Sequence, residues 1–269
     1  MFPLASKDYP ASTQELTESI HDALAQVLSF PKKNNVVTAQ GGSFPEIDKM
    51  RIDLSGASVS IRKPPPQPKP RGKRQSGVQI GQLDVVGQPI QYEKSKANFS
   101  LKARGLSFDF ARDADSKPIL VLTDAQDGDV DVKINKADLQ AMLLAAASMA
   151  AKEHGVTIQD LKLDLTSSGP RAVTVKADVK AKKMIMSGQL TIRGRADVDD
   201  QLVATLSDLS CEGHGVIGTM AATFLRERIK KLQGQKFPLM AFSMGDVALR
   251  DLQLSINGVV DVHARFGRN

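Results

Sequence analysis

The sequence predicts an α+β fold in which a long, curved antiparallel β-sheet wraps around apolar helices. Three observations lead to this prediction. Many short segments alternate apolar and polar residues, as strands with one buried face do, and they are separated by short turns. Three other segments repeat apolar residues at helical spacing. Strands and helices do not alternate regularly, as they do in a parallel sheet.

The composition predicts an aliphatic and adaptable core. The chain has 269 residues, enough for one elongated domain or two small ones. It contains no Trp, two Tyr and ten Phe, but nine Met, whose flexible side chains fill irregular space. The single Cys excludes a disulfide within the chain. No run of 18 apolar residues is present, so we expect no membrane-spanning helix.

The positive charge of the chain belongs to one segment. Residues 62–74 contain six basic residues and no acidic one, and without them the 36 basic residues fall to 30, equal to the 30 acidic residues. The five prolines of this segment cannot donate backbone hydrogen bonds, so we predict a Pro/Arg/Lys-rich flexible loop over residues 62–75. Such a loop could be a linker, contact an anionic membrane or bind nucleic-acid phosphates. Nucleic acid is disfavoured because no aromatic residues are interleaved for base stacking.

The N-terminal region is predicted to contain one helix. Ser12 and Glu15 form a capping box before an apolar stripe, and Pro31 ends the helix. We assign residues 1–45 to this helix and a link, and residues 46–269 to a single elongated domain. At the start of that domain, Met50–Leu54 and Ala57–Ile61 are predicted to pair as a hairpin.

The middle of the chain is predicted to be a succession of strands that leads into a central helix. Asn135 is the expected N-cap of this helix, Asp138 supplies an acidic residue three positions later, and Gly155 suits its C-terminal end. The predicted strands before it are residues 78–85, 97–103, 106–110, 119–122 and 130–134.

The last third repeats the plan of strands followed by a helix. A helix is predicted for about Val216–Gln233, and Asn257-Gly258 is a strong signal for a hairpin between the last two strands. The predicted strands are residues 161–165, 173–181, 184–198, 202–206, 247–256 and 260–266.

Three motifs suggest ligand sites: a glycine motif, an aspartate motif and a Cys/Glu/His cluster. Each has a simpler structural explanation. Gly213, Gly215 and Gly218 spell G-x-G-x-x-G, but the preceding strand is polar and too little chain follows for a nucleotide domain. We interpret these glycines as a flexible strand-to-helix turn. Asp127, Asp129, Asp131 and Asp138 echo a calcium loop without its central glycine, so they are interpreted as the solvent face of a strand.

The sequence does not predict an enzyme, a cofactor or a metal site. Cys211, Glu212 and His214 lie close together, but structural zinc requires a second pair of ligands, which is not present. No nucleophile elbow, zinc-protease motif or P-loop occurs.

The apolar helices allow two interpretations. In the first they pack as the core of the sheet, and in the second they line a groove that receives acyl chains. A helix with an apolar stripe usually packs on a sheet, and the quantity of aliphatic surface and the scarcity of aromatic rings are the features that suit the second interpretation. Basic residues beside the apolar residues of the last helix could contact lipid headgroups.

The sequence resembles a known family over roughly Val78 to Phe266. The similar parts are the strand-to-helix segment Val130–Leu143, the alternating strands that follow, and the closing hairpin Leu249–Val262. They resemble the LmeA-like bacterial phospholipid-binding proteins, which are related to the tubular lipid-binding (TULIP) superfamily. This resemblance implies a TULIP-like curved sheet around a long helix, an apolar lipid cavity and no catalytic residues.

The expected function is therefore non-enzymatic binding or transfer of phospholipid or acyl chains. The alternatives are a scaffold protein with a filled core, or nucleic-acid binding through residues 62–74. We expect the lipid to contact Leu139, Met142, Leu143, Met149, Met220, Phe224 and Leu225. The expected headgroup or membrane contacts are Arg62, Lys63, Arg71, Lys73, Arg74, Arg226 and Lys230.

The expected partner is lipid or an anionic membrane surface, and the oligomeric state is not predicted. Residues 1–5 lack the charged start and apolar core of a signal peptide. A complete chain would therefore be cytoplasmic or peripheral to a membrane, whereas a chain that has lost a signal would belong to the envelope.

Overall fold

The computed structural model describes residues 1–31, 35–59, 68–239 and 247–268, which form two compact units. Unit 1 contains residues 1–132, 247–251 and 263–268. Unit 2 contains residues 133–239 and 252–262. The described residues are mostly β-strand, with three helices and a large sheet that is rich in antiparallel pairs.

The elements follow one another as strands interrupted by single helices. The helices are α1 (Thr13–Ala25), α2 (Lys136–Lys152) and α3 (Gly215–Leu232). The strands are β1 (Phe2–Pro3), β2 (Leu28–Ser29), β3 (Val37–Gln40), β4 (Glu46–Asp53), β5 (Ser58–Val59), β6 (Arg71–Tyr92), β7 (Ser95–Arg112), β8 (Pro118–Asn135), β9 (Thr157–Gly169), β10 (Ala172–Lys183), β11 (Met186–Val198), β12 (Val203–His214), β13 (Lys236–Pro238), β14 (Val247–Ile256) and β15 (Val259–Arg268). Strands β8, β14 and β15 contribute residues to both units.

The first sheet has ten strands and is not closed. Its main order is β14-β15-β8-β7-β6-β4-β3, while β1 pairs with β8 and β5 pairs with both β2 and β6. The pairings of β6 with β4 and with β5 are parallel. The second sheet has the order β13-β12-β11-β10-β9, and its pairings are antiparallel.

The hairpin predicted for residues 50–61 is wrong. Strand β4 does not pair with β5, because the chain between them continues alongside β6. The backbone N–H of Leu54 donates to the carbonyl of Val86 at 2.6 Å, and that of Gly56 donates to Pro89 at 2.7 Å. Ser58 then aligns with Gln91 in the same parallel direction. The backbone donors thus follow β6, where a hairpin would have paired them with β4.

The loop predicted for residues 62–74 is wrong at its C-terminal end. Residues 62–67 lie outside the described residues, but strand β6 begins at Arg71, which aligns with Arg112 of β7. The last proline of the segment is Pro70, so every later residue can donate to the sheet.

The strands of unit 1 are longer than the sequence predicts. Strand β7 has 18 residues and joins the two strands predicted at 97–103 and 106–110, and β8 joins those at 119–122 and 130–134. Gly105 explains the first error. Its φ of +57° interrupts the alternation inside one strand, so that Ala103 and Leu106 are both buried although they lie three residues apart.

Helix α1 packs into the core of unit 1. Half of its predicted capping box is confirmed, since the Ser12 hydroxyl accepts a hydrogen bond from the backbone N–H of Glu15 at 3.2 Å. The Glu15 carboxylate accepts from the backbone N–H of Ala11 at 2.8 Å, where a full capping box would use that of Ser12. Leu16 is fully buried and Ile20 nearly so. These helix residues belong to one apolar cluster with residues of both the central and the edge strands: Leu4, Ile47, Met50, Val78, Ile80, Ala103, Leu106, Phe110, Leu120, Ala125 and Val247.

The helix and hairpin predictions of unit 2 are largely confirmed. Helix α2 begins after Asn135 and ends near Gly155, whose φ is +67°. The Asn135 side chain does not cap the backbone, and instead donates to the Asp138 carboxylate at 3.4 Å. Gly258, with a φ of +74°, occupies the predicted turn between β14 and β15.

Replacing Leu16 with alanine should destabilise unit 1 by about 2–5 kcal/mol, because it leaves a cavity in a sealed core. Both tyrosines of the chain, Tyr9 and Tyr92, lie in unit 1, and no tryptophan is present. Tyrosine fluorescence during urea unfolding therefore reports on this unit. The matched control is Leu143→Ala in unit 2, where the side chain is 40% exposed, and this change should leave the tyrosine transition in place.

Candidate functional site

The five-stranded sheet of unit 2 has one apolar face and one charged face. The strand register aligns the apolar side chains in rows across β9, β10, β11 and β12. These rows are Leu161–Val179–Leu190–Gly213, Leu163–Ala177–Ile192–Cys211 and Leu165–Val175–Gly194. The residues between them form the opposite, charged face, with rows such as Lys162–Asp178–Thr191–Glu212.

Helix α3 approaches the apolar face closely because glycines line the contact. A Cβ atom added to Gly188 or Gly213 would collide with the backbone of Gly218, and one added to Gly218 would collide with the backbone of Gln189. The glycines at 213 and 218 therefore serve helix-to-sheet packing, which the sequence analysis had interpreted as turn flexibility. Ile217 and Ala222 are buried on the side of α3 that faces β11 and β12.

Helix α2 packs on β9, at the edge of this sheet. The Gln140 side chain accepts a hydrogen bond from the backbone N–H of Leu163 at 3.1 Å, and Lys136 forms an ion pair with Asp164 at 3.1 Å. Leu161 and Leu163 of β9 are both buried. No residue of α2 itself is buried, although most of its residues are apolar.

The strand between the two helix contacts is only partly covered. Strand β10 lies between β9, which carries α2, and β11, which together with β12 carries most of the contact with α3. Its apolar residues Val175, Ala177 and Val179 are half-buried even though they occupy the middle of the sheet. We call these three residues the β10 strip.

The exposed apolar side chains of the described residues are concentrated in unit 2. Ten large apolar residues are exposed, and Met1 alone belongs to unit 1. The other nine are Leu143, Met184, Ile185, Met186, Val216, Met220, Phe224, Leu232 and Val259. The main apolar cluster, by contrast, lies entirely within unit 1. Unit 2 therefore presents apolar surface that its own fold does not cover.

The predicted lipid-contacting residues fall into two groups. Leu139, Met142 and Met149 are half-buried on α2, and Leu225 is half-buried on α3. The other three are exposed, with Leu143 on α2 and Met220 and Phe224 on the side of α3 that faces away from the sheet. The structure thus does not place Met220 and Phe224 over the β10 strip.

The residues predicted to contact headgroups do not all belong to one unit. Arg62 and Lys63 lie outside the described residues. The exposed residues Arg71, Lys73 and Arg74 belong to strand β6 of unit 1, whereas Arg226 and Lys230 are exposed on α3 of unit 2.

Helix α3 carries further basic residues near its exposed apolar stripe. The guanidinium of Arg228 lies 4.8 Å from the ring centre of Phe224, a cation–π contact, and Lys230 forms an ion pair with Glu227 at 3.3 Å. Apolar and basic groups are therefore adjacent on the exposed side of this helix.

The hairpin between β10 and β11 carries residues that the sequence analysis missed. Met184 was predicted to begin a strand, but it lies in the turn, with a φ of +54°, and β11 begins at Met186. Met184 is 83% exposed and Ile185 is 95% exposed. The available signal was the run Lys182-Lys183-Met184-Ile185-Met186, in which three apolar residues directly follow two lysines without a usual turn residue.

The aspartates of β8 that echo a calcium loop contact basic groups of unit 1. Asp127 forms two hydrogen bonds with Arg104, the shorter at 2.8 Å, and Asp131 contacts the His263 ring at 2.9 Å. Asp129 lies 3.7 Å from Arg265. The hydrogen bonds to Asp127 stabilise the charged guanidinium of Arg104 and so raise its pKa.

The charged face of the second sheet carries several polar contacts, including a short hydrogen bond between Thr191 and Asp178. The Thr191 hydroxyl, which is nearly inaccessible, donates to the Asp178 carboxylate at 2.5 Å, and Lys176 lies 3.0 Å from the same carboxylate. These two contacts lower the pKa of Asp178. On the apolar face, burial raises the pKa of the Cys211 thiol, so the thiol form is favoured.

Comparisons with known proteins give no relative. No family model matches the chain, and neither a curated protein nor a solved structure matches it. Within the ranges that the structure describes, no helix is long and apolar enough to cross a membrane.

Replacing Phe224 with alanine should change the free energy of unfolding by less than about 0.5 kcal/mol, because the ring is already two-thirds exposed. Replacing the buried Ile217 of the same helix with alanine should lower the free energy of unfolding by about 2–5 kcal/mol. Urea unfolding followed by circular dichroism measures both. A large loss for Phe224→Ala would show that the ring is part of a filled core.

Removing the Thr191 hydroxyl by Thr191→Val should raise the pKa of Asp178 toward its usual value near 3.9. Because the folded-state pKa is below the unfolded one, ionised Asp178 stabilises unit 2 above about pH 4, and this contribution is lost as the pH falls through the folded pKa. The carboxyl carbon shift of Asp178, followed by NMR titration, measures the change. The control is Thr174→Val, at an exposed position of β10, the strand that carries Asp178. It should leave the titration of Asp178 unchanged.

Proposed function

We propose that this chain is a non-enzymatic lipid-binding protein that holds acyl chains against the β10 strip of unit 2. The observation that carries the proposal is the half-buried β10 strip in the middle of the sheet, which continues into the equally half-buried Leu190 and Ile192 of β11. Interior sheet positions normally lose almost all contact with solvent, so partial exposure there leaves room for an apolar ligand.

The chemistry of the surroundings suits acyl chains. The strip and its neighbours are aliphatic, and the nearby half-buried residues of α2, Met142 and Met149, are flexible enough to adapt to chains of different shape. Each methylene group that leaves water contributes ~0.8 kcal/mol, so a few groups laid along the strip give substantial affinity. No directional polar group is needed for this kind of binding.

The same proposal gives the basic residues of α3 a role. Arg226, Arg228 and Lys230 are exposed on the helix that borders the strip, and they could pair with phosphate headgroups while the chains lie on the sheet. The finer TULIP-like architecture and the LmeA-like resemblance are part of this proposal. They remain predictions that lipid binding would support.

The main alternative is a scaffold protein whose apolar surface meets only other side chains. On that alternative, the purified protein carries no lipid, and substitutions on the β10 strip change stability alone. The two functions therefore differ in whether lipid is bound, which can be measured directly.

The decisive experiment is extraction of the purified protein with organic solvent, followed by lipid mass spectrometry. We expect phospholipid or fatty acid in the extract. A blank extract, together with no change in melting temperature on addition of phospholipid, would sink the proposal.

Filling the strip should displace the lipid. Ala177→Trp places a large ring on the β10 strip and is expected to remove most of the co-purified lipid. The matched control is Thr174→Trp, which places the same ring at an exposed position on the charged face of the same strand and should retain the lipid. Circular dichroism checks that both variants fold.

A further inference from the structure

The tip of the β10–β11 hairpin is the most exposed apolar feature among the described residues. Lys183 aligns with Met186, so Met184 and Ile185 form a two-residue turn. Both side chains are more than four-fifths exposed, and Met186 beside them is 38% exposed. We call Met184, Ile185 and Met186 the apolar tip.

Folding of the hairpin does not require these residues. Two-residue turns favour Asn and Gly, which adopt positive φ at little cost. Met184 adopts a φ of +54° in spite of its side chain, which is unfavourable for a residue with a Cβ. Glycine at the first position would form the same turn more easily. The turn itself therefore does not explain the apolar residues at its tip.

The strand that leads into the tip is basic. Residues 180–186 contain Lys180, Lys182 and Lys183 and no acidic residue, and all three lysines are exposed. The Lys183 side chain lies close to Gly155 at the end of α2, where Lys152 adds another positive charge. An apolar tip with a basic collar is complementary to an anionic bilayer, which offers negative headgroups above an apolar interior.

A protein partner fits this surface less well. The buried centres of protein–protein interfaces are depleted in lysine. Each lysine near an anionic lipid surface, by contrast, strengthens partitioning by about fivefold. The combination of exposed Met and Ile with several lysines therefore favours lipid over protein.

The apolar tip is continuous with the candidate site. The backbone of Ser187 lies against Gly215, and the next residue of α3, Val216, is 55% exposed. Along β10, the apolar positions continue from Val179 to Ala181, three residues before the tip. A chain that leaves a bilayer at the tip would therefore pass Lys183, which shares the face of Val179 and Ala181, and then reach the β10 strip.

We propose that the apolar tip inserts into the headgroup region of anionic bilayers and so docks unit 2 where a lipid chain can enter the β10 strip. The entry role rests on the proposed lipid-binding function. Docking itself does not, since a bilayer surface can bind the tip even if no lipid occupies the strip.

Because the chain has no Trp, a single introduced Trp is a specific probe. In Ile185→Trp, we expect a blue shift of the emission with phosphatidylcholine–phosphatidylserine vesicles, quenching by brominated lipid, and a weaker response with phosphatidylcholine alone. The control is Gln201→Trp, in the turn at the other end of β11, which should not respond. An unchanged spectrum for Ile185→Trp with both vesicles would overturn the proposal.

The loss-of-function variant is the double substitution Met184→Gly and Ile185→Asn, which puts glycine at the position with positive φ. It removes the apolar side chains but installs a favoured turn, so it should fold at least as well as the parent. We expect its partitioning onto anionic vesicles, measured by flotation, to fall by about tenfold or more. Lys182→Gln with Lys183→Gln should abolish the preference for anionic over neutral vesicles.

The outcomes separate docking from lipid binding. If the variant of Met184 and Ile185 floats with anionic vesicles as well as the parent chain does, docking by the tip is overturned. Binding of the parent to a protein partner through the tip, without binding to vesicles, also overturns it. Loss of flotation with retained co-purified lipid supports docking and leaves the proposed function intact. A parent chain that floats through its tip but carries no lipid supports docking and contradicts the proposed function.

Discussion

The arrangement of unit 2 depends on how closely α3 can approach its sheet. Gly188, Gly213 and Gly218 remove three side chains at the contact, so the helix backbone lies almost directly on β11 and β12. A helix held this tightly by short contacts cannot shift sideways to cover β10 as well, because the glycine positions fix its place on the sheet. The β10 strip therefore lies outside the main contacts of α3 and of α2, and it is half-buried, as are Leu190 and Ile192 of β11.

The distribution of aromatic residues explains why the two units differ in burial. Among the described residues, unit 2 has only Phe224 and Phe237, and the first of these is mostly exposed. In unit 1, by contrast, Phe110 is buried in the main cluster and stacks on Tyr9 with ring centres 5.0 Å apart. Large rings fill the space between a helix and a sheet, whereas Val and Ala on β10 are too short to do so. The scarcity of aromatic residues in the whole chain is thus a property of unit 2 above all.

Local signals in the sequence predicted local structure well. The Ser12 cap of α1 and the turn at Asn257-Gly258 each follow from residues that act within a few positions of one another. The start of α2 is predicted at the right place, although the Asn135 side chain makes no cap there. The parallel course of residues 46–59 beside β6 could not be predicted in this way, because it depends on hydrogen bonds to residues about 30 positions away. The partial exposure of the β10 strip could not be predicted either, because alternation shows which face of β10 is apolar but not how far a helix covers that face.

Comparison with the other two-residue turns indicates that folding of the β10–β11 hairpin does not require apolar residues at its tip. Three other described hairpins use two-residue turns, and their sequences are Glu93-Lys94, Pro170-Arg171 and Asn257-Gly258. Each contains polar residues, Pro or Gly, as turns that face solvent usually do. Glu93 adopts nearly the same φ as Met184, 53° against 54°, so the backbone geometry does not demand an apolar residue. What distinguishes Met184-Ile185 is therefore the surface that it presents, and an apolar surface beside lysines is most stable where water gives way to anionic lipid.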